Sequence, residues 1–242
     1  MTPQEHEISE RALAFAKVNR TRIARDLACL NRYPRDEDPV SVFMAGSPGA
    51  GKTEVSKSFI KLMEAQGTSA LRIDPDDFRD FFPEYSGSNS SLFQRSVTTI
   101  VERTIDLVHQ QRQSFLLDGT LANFNVARRN IQRSLNKKNR SAQIIYVYQR
   151  PELAWEFVLA REETEGRNIP CHEFVRQFYA SKASVCELKR EWGQALQVDV
   201  IIKDTDGGDA DFGIDLSAEE IDRMVTQPYD QSELERILNG VA

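Results

Sequence analysis

The chain has 242 residues, a formal charge of −6 and a pI of about 5.3. A chain of this length is expected to form one domain with appendages, and its acidic balance provides no overall attraction to nucleic acid or to an anionic membrane surface. No run approaches the roughly 18–20 apolar residues that cross a bilayer, and the first residues lack a signal-peptide pattern. We therefore expect a cytoplasmic protein with neither nucleic acid nor membrane as its partner.

The first regular pattern predicts an N-terminal helix. Apolar residues recur at roughly helical spacing through residues 7–30, and the pattern breaks in the Pro-containing stretch 33–39. Five short apolar runs then predict strands at 40–45, 70–73, 114–117, 143–148 and 198–202. Helical pattern separates each of these strands from the next. This alternation predicts an α/β fold, in which a parallel sheet is flanked by helices on both faces.

Several helix starts are indicated by proline. Asp74 and Pro75 predict an N-cap followed by the first helical residue. Pro151 predicts the start of a helix that ends at Gly166, and Pro170 predicts the start of another long helix.

The C-terminal part is predicted to form a tail. The acidic, Gly-rich run 204–215 predicts a loop, and short helices are predicted near 217–226 and 231–238. We therefore divide the chain into an N-terminal helical extension (1–38), a core (39–204) and a C-terminal tail (205–242).

The strand at 40–45 leads directly into GSPGAGKT, and a segment of helical pattern follows. This is the P-loop sequence G-x4-G-K-[ST] in its strand-to-helix setting. Glycines let successive backbone N–H groups point at a phosphate, and the helix N-terminus adds partial positive charge. We predict that ATP is bound by Gly46, Ser47, Pro48, Gly49, Ala50, Gly51, Lys52 and Thr53. Lys52 would reach the β- and γ-phosphates, and the Thr53 hydroxyl would bind Mg²⁺.

The P-loop alone does not define the reaction, because GTPase switches, helicases and transporters also contain one. The guanine-reading motif N-K-x-D is absent, since Asn136 and Lys137 are followed by Lys138 and Asn139. We therefore expect ATP rather than GTP.

Any metal must be bound by oxygen atoms. The cysteines Cys29, Cys171 and Cys186 are widely spaced and form no CxxC pair, so neither a disulfide framework nor a zinc site is predicted. The strand at 114–117 ends on Asp118, the position expected of a Walker B acid that holds Mg²⁺ directly or through water. Capping of the following loop is the alternative role for Asp118.

Three acids follow the second predicted strand: Asp74, Asp76 and Asp77. Open α/β sheets bind their ligands at this carboxyl edge, where a carboxylate can accept the proton of an attacking hydroxyl. The same acids could cap a helix and complement its dipole. The two interpretations are compatible.

Two arginines and a glutamate are further candidates. Arg161 and Arg167 flank the end of a predicted helix, from which they could fold over the phosphates and stabilise the transferring group. For Arg161, a surface pair with Glu165 is the alternative. Glu102 lies in the predicted helix 92–111, where pattern alone favours a solvated face.

Taken together, these motifs resemble the zeta toxin family. The resemblance rests on GSPGAGKT, on IDPDDFRDFFP, on the strand end LDGT and on the arginine lid, and it spans about residues 40–204. Zeta toxins are P-loop kinases of toxin–antitoxin systems, which phosphorylate UDP-N-acetylglucosamine and so deprive the cell wall of its precursor. The resemblance thus implies an ATP- and Mg²⁺-dependent kinase with an antitoxin protein as a partner.

The resemblance also implies roles for single residues. Asp76, the second acid of IDPD, would deprotonate the acceptor hydroxyl. The catalytic residues would be Asp76, Lys52, Arg161 and Arg167. The substrate-binding residues would be Asp74, Glu102 and Thr120, and the metal ligands would be Thr53 and Asp118.

One departure from the family concerns the acceptor. The family has Glu-Gly-Thr at this strand end, whereas this chain has Asp-Gly-Thr followed by LANF. UDP-N-acetylglucosamine is therefore the first expectation, and a related UDP-sugar is the nearest alternative. Two further hypotheses stay open: a P-loop kinase of another acceptor, such as a nucleotide or a polynucleotide 5′-hydroxyl, and an ATP-dependent regulatory binding module. The N-terminal or C-terminal segment could also restrain the activity in place of a separate antitoxin.

Overall fold

A computed structural model of the protein describes residues 1–166, 168–203 and 211–240. The strands are β1 (Val40–Ala45), β2 (Ala70–Ile73), β3 (Ser114–Leu117), β4 (Ser141–Gln149), β5 (Leu196–Lys203) and β6 (Asp211–Gly213). The helices are α1 (Pro3–Leu27), α2 (Lys52–Ala65), α3 (Gln94–Gln111), α4 (Phe124–Leu135), α5 (Pro151–Glu165), α6 (Cys171–Trp192), α7 (Ala218–Met224) and α8 (Gln231–Asn239). Short 3₁₀ helices lie at Asp77–Phe81, Ser90–Phe93 and Gly193–Ala195.

The strands form one sheet in the order β2-β3-β1-β4-β5-β6. Strands β1 to β5 run parallel, and β6 pairs antiparallel with β5. The predicted α/β fold and its five strands are confirmed. The loop prediction is wrong at Asp211–Gly213, because a three-residue edge strand is defined by its pairing with β5 rather than by its own Asp- and Gly-containing sequence. Residues 204–210 of that loop lie outside the described residues.

Both faces of the sheet are covered, as side chains that alternate along each strand require. On one face, Phe43 and Phe115 belong to a large core that also contains residues of α1, α3, α4 and α6. On the other face, Val42, Met44 and Leu116 pack in a smaller core with residues of α2. The prediction of helices on both faces is therefore confirmed.

Helix α1 packs along α3 and completes the larger core. Ala16, Ile23 and Ala24 of α1 are fully buried. The Ser9 hydroxyl donates to the carbonyl of Leu92, at 2.9 Å. The N-terminal helix thus shares one apolar interior with the sheet.

The α-helix predicted to begin at Asp74 and Pro75 is absent, and a 3₁₀ helix, Asp77–Phe81, stands in its place. The Asp74 carboxylate still acts locally, since its Oδ1 accepts the N–H of Asp76 at 2.9 Å. This contact closes an Asx turn from Asp74 to Asp76, and the 3₁₀ helix follows it directly.

The other predicted helices are confirmed. Helix α5 begins at Pro151 and ends before Gly166, which has a left-handed φ of 68°. Pro170 directly precedes α6. Helices α7 and α8 pack against α6, and Leu234 and Leu238 of α8 are buried there. Within the ranges given above, no helix combines the length and apolar character that a bilayer crossing requires.

Candidate active site

The P-loop joins β1 to α2, and its path depends on glycine. Gly46 has a φ of 136°, and a Cβ there would stand 2.2 Å from the carbonyl oxygen of Val147. The Gly46 N–H donates to the Thr120 carbonyl at 3.2 Å. Lys52 is the first residue of α2, and its Nζ donates to the Ser47 carbonyl at 2.6 Å. The loop is therefore anchored to neighbouring strands, with the Lys52 ammonium lying against its backbone.

A second lysine, which sequence reasoning missed, approaches the same loop. Lys203 is the last residue of β5, and its Nζ lies 2.6 Å from the Glu54 carboxylate in the first turn of α2. The same Nζ lies 2.5 Å from the position that a Cβ on Gly51 would take. Only the folded sheet brings Lys203 to the P-loop, because 149 residues separate it from Glu54.

Asp118 directly follows β3 and is buried beside the start of α2. The Ser56 hydroxyl lies 2.7 Å from Asp118 Oδ2 and 3.0 Å from the carbonyl oxygen of Thr53. Ser56 therefore bridges the two residues predicted to bind Mg²⁺. Sequence reasoning did not identify Ser56, although it lies one helical turn after Thr53.

Arg72 is the centre of a polar cluster that sequence reasoning also missed. Its guanidinium contacts four side chains, those of Ser56, Asp74, Asp77 and Asp118. Nη2 donates both to Asp74 and to Asp118, the latter at 2.6 Å, while Nε lies 3.0 Å from the Ser56 hydroxyl. The sequence did contain a signal, because an arginine inside a short apolar strand needs buried polar partners.

The charges in this cluster compensate one another. Burial alone would lower the pKa of Arg72, but its hydrogen bond to Asp118 and the charge of Asp74 bring that pKa above its ordinary value. Burial raises the pKa of Asp74, and the hydrogen bond from the Asp76 N–H opposes this rise. Arg72 therefore stays cationic between the two carboxylates.

Asp76 has a separate arginine partner. Its Oδ1 accepts from Nη1 of Arg79 at 2.6 Å, and the Asp76 side chain is 36% exposed. Arg79 is buried, and its guanidinium lies over the Tyr85 ring, 5.9 Å from the centroid. Arg79 is the basic residue of the string IDPDDFR, so the sequence already placed an arginine three residues after Asp76. The contact holds the Asp76 carboxylate in one direction.

Glu102 and Thr120 make contacts of other kinds. Glu102 on α3 pairs with Arg129 on α4 at 2.8 Å, and both side chains are about half exposed. The Thr120 carbonyl accepts the Ser181 hydroxyl of α6 at 2.8 Å as well as the P-loop N–H. Thr120 thus anchors the P-loop through its backbone, while Glu102 contacts the neighbouring helix.

Of the two arginines predicted to form a lid, one lies in α5. Arg161 is exposed in its last turns, and Arg167 lies outside the described residues. A Cβ at Gly166 would be 3.9 Å from the Ser86 carbonyl oxygen. The end of α5 therefore approaches the segment that follows the Asp76 turn.

A chain of contacts runs along the carboxyl edge of the sheet and joins four of the predicted site residues. It passes from Thr53 through Ser56 to Asp118, and then through Arg72 to Asp74 and the backbone of Asp76; the contacting pairs are those described above. Carboxylates, a lysine and a glycine-rich loop at one sheet edge suit phosphate binding and proton removal from a hydroxyl.

The family model described as zeta toxin matches residues 23–217, which is most of the chain. The chain belongs to the zeta toxin family. Membership makes this zeta toxin family protein a kinase, a phosphotransferase with a hydroxyl group as acceptor.

Two solved structures are similar to this zeta toxin family member. One is of the PezAT chromosomal toxin–antitoxin system of Streptococcus pneumoniae, at 21% identity and a TM-score of 0.61, covering 100% of this chain and 94% of that chain. The other is AvrRxo1-ORF1:-ORF2 with ATP, at 16% identity and a TM-score of 0.61, covering 94% of this chain and 74% of that chain. At these identities the likeness shows a common fold.

Proposed function

We propose that the protein uses ATP to phosphorylate a hydroxyl of UDP-N-acetylglucosamine or a related UDP-sugar, as the toxin of a toxin–antitoxin system in the cytoplasm. One observation carries the kinase chemistry. A P-loop with Lys52 lies at the same sheet edge as Asp76, whose carboxylate is oriented by the buried Arg79.

Each part of this edge has a task in phosphoryl transfer. The backbone of Gly46–Thr53 binds the ATP phosphates, and Lys52 balances the charge on the β- and γ-phosphates. The acceptor oxygen forms a bond to the γ-phosphorus while the bond to the ADP oxygen breaks. Asp76 takes the proton that the hydroxyl loses.

The residues at the start of α2 fit a magnesium site. Among the described residues, no three His, Cys, Asp or Glu side chains converge on one metal position. A nucleotide-bound Mg²⁺ needs only one or two protein oxygen ligands beside phosphates and water. Thr53 and Asp118 supply such oxygens and are joined through Ser56. When bound, Mg²⁺ neutralises phosphate charge.

The remaining residues surround the acceptor and the phosphates. Glu102 and Thr120 contact the acceptor together with Asp74, and Arg161 and Arg167 cover the phosphates from the lid. The approach of Gly166 to the Ser86 carbonyl supports this arrangement, because it brings the end of α5 near the segment between the Asp76 turn and α3.

Family membership supports the UDP-sugar and the antitoxin. The solved PezAT structure is that of a toxin–antitoxin system, which supports a protein antitoxin for this chain as well. Expression without an antitoxin is then expected to stop bacterial growth.

The test is mass spectrometry of reactions that contain the purified protein, Mg-ATP and a panel of UDP-sugars, nucleosides and oligonucleotides. We expect one phosphate to be added to UDP-N-acetylglucosamine. Lys52→Ala should slow this transfer by about 10²–10³-fold and should relieve growth arrest, because it removes a cation from the transferring phosphate.

The competing hypotheses give different results in the same experiment. Phosphate on a nucleoside or an oligonucleotide 5′-end would keep the kinase and replace the acceptor. Bound ATP with no modified acceptor would contradict a UDP-sugar acceptor and favour a regulatory binding module or an acceptor outside the panel.

A further inference from the structure

Arg72 places a charged side chain inside β2, a strand of four residues whose other members are apolar. Only 16% of this side chain is exposed, compared with 13% for Asp74 and 6% for Asp118. Buried ion pairs are often no more stabilising than apolar residues of the same size. The stability of β2 therefore gives no sufficient reason for an arginine here.

The contacts of Arg72 connect three elements at the carboxyl edge. The guanidinium reaches Ser56 on α2, Asp118 after β3 and Asp74 after its own strand. The planar fork of arginine suits several fixed acceptors at once. Arg72 thus links the side chains that follow two strands whose ends are already joined through the backbone, by the Asp118 N–H to the Ile73 carbonyl at 2.9 Å.

Asp74 links Arg72 to the backbone of Asp76. Its Oδ2 accepts a hydrogen bond from Nη2 of Arg72, and its Oδ1 accepts one from the Asp76 backbone N–H at 2.9 Å. The Asp76 side chain is oriented separately by Arg79. The base of the proposed reaction is therefore fixed at two points, its backbone by Asp74 and its carboxylate by Arg79.

We propose that Arg72 is a positioning residue, which fixes the Asp76 backbone through Asp74 and so aligns this base with the P-loop. The inference rests on the proposed function, in which Asp76 is the base, and it gives Asp74 this link in addition to its contact with the acceptor. A misplacement of about 1 Å in a reacting group can reduce a rate by about 10²-fold.

The first test compares Arg72→Gln with Asp74→Ala. Both should lower kcat by about 10–100-fold, because each breaks the link to Asp76. In Asp74→Ala the Kd for ATP should change by less than about threefold, since within the described residues Asp74 makes no hydrogen bond to the P-loop or to the proposed Mg²⁺ ligands. The double variant should be no slower than the slower single variant, because the two residues act in one link.

The second test is independent of any acceptor. Hydrogen exchange of the Asp76 amide should be about tenfold faster in both variants, because its acceptor is lost or displaced. Arg128→Gln is the matched control, since Arg128 makes an exposed ion pair with Glu191 between α4 and α6. It should leave both kcat and the Asp76 amide unchanged.

Several results would overturn the inference. One is a kcat within about twofold of the original protein in both variants, provided that urea unfolding shows them folded. Another is an unchanged Asp76 amide, and a third is an Asp74→Ala variant that changes only the KM of the acceptor. If the unaltered protein phosphorylates no acceptor, the proposed function fails, and hydrogen exchange alone decides the role of Arg72.

Discussion

Two arginines lie at opposite ends of the sheet, Arg140 buried and Arg72 largely so, and their partners differ in charge. At the carboxyl end, Arg72 lies between the carboxylates of Asp74 and Asp118. At the amino end, Arg140 donates to the Ser41 hydroxyl at 2.9 Å and to the Gln113 carbonyl at 2.8 Å.

The pKa values follow from these partners. Burial lowers the pKa of Arg140 to about 10, since few negative charges oppose it, whereas the carboxylates raise the pKa of Arg72. Arg140 also lies over the Phe115 ring, 5.6 Å from the centroid. At the amino end, Arg140 thus donates hydrogen bonds to neutral acceptors and packs against an aromatic ring. The carboxyl end keeps charged groups where α/β sheets bind ligands.

The largest effect is expected at the carboxyl end. Asp76→Asn should lower kcat by about 10²–10⁴-fold, because an amide cannot accept the proton of the acceptor. ATP binding should stay the same, since Asp76 lies outside the P-loop. Steady-state kinetics measures kcat, and isothermal titration calorimetry measures ATP binding.

Asp80→Asn is the matched control for that change, as Asp80 is exposed in the 3₁₀ helix that begins directly after Asp76. It should leave kcat unchanged. An Asp76→Asn variant with full activity would remove Asp76 from the role of base.

At the amino end we expect stability to change and activity to remain. Arg140→Met should lower the free energy of unfolding by about 1–3 kcal/mol, because the Ser41 hydroxyl and the Gln113 carbonyl lose their buried partner. Urea unfolding and kcat should be measured on the same preparation. If kcat fell at temperatures where the variant is folded, the two ends would not be functionally separate.

The smallest effect depends on pH. His109, buried at the amino end, lies 3.2 Å from the Ser134 hydroxyl, and burial together with the charge of Arg140 lowers its pKa to about 3. The unfolded chain binds this proton below about pH 6.5, whereas the folded chain does not until about pH 3, so stability falls as the pH falls through this window. The loss between pH 7 and pH 5 should be about 2 kcal/mol.

His109→Gln tests this contribution, because glutamine does not titrate. As the pH falls from 7 to 5, the original protein should lose about 2 kcal/mol of unfolding free energy relative to the variant. A difference independent of pH would show that His109 is protonated equally in both states.

The sequence predicted features that depend on local pattern. The P-loop is a continuous string, and the five parallel strands are short, mainly apolar runs, so both could be recognised without the fold. The starts of α5 and α6 were also predicted correctly, because each is marked by a proline in the local sequence.

Features that depend on distant partners were not predicted. The roles of Arg72 and Lys203 become visible only when strands far apart in sequence lie side by side. Strand β6 exists through its pairing with β5. At Asp74, the expected helix cap gave way to a tighter turn, because the carboxylate is shared between Arg72 and the Asp76 N–H.

The packing of α1 along α3 has a consequence for synthesis on the ribosome. Ser9 and its partner Leu92 are 83 residues apart, so α1 emerges well before the surface that covers it. At about 5–20 residues per second, the interval is roughly 4–17 s. During this time the face of α1 that carries Ala16 and Ile23 is exposed to solvent and to chaperones. Conditions that slow translation between α1 and α3 should therefore increase aggregation of the nascent chain.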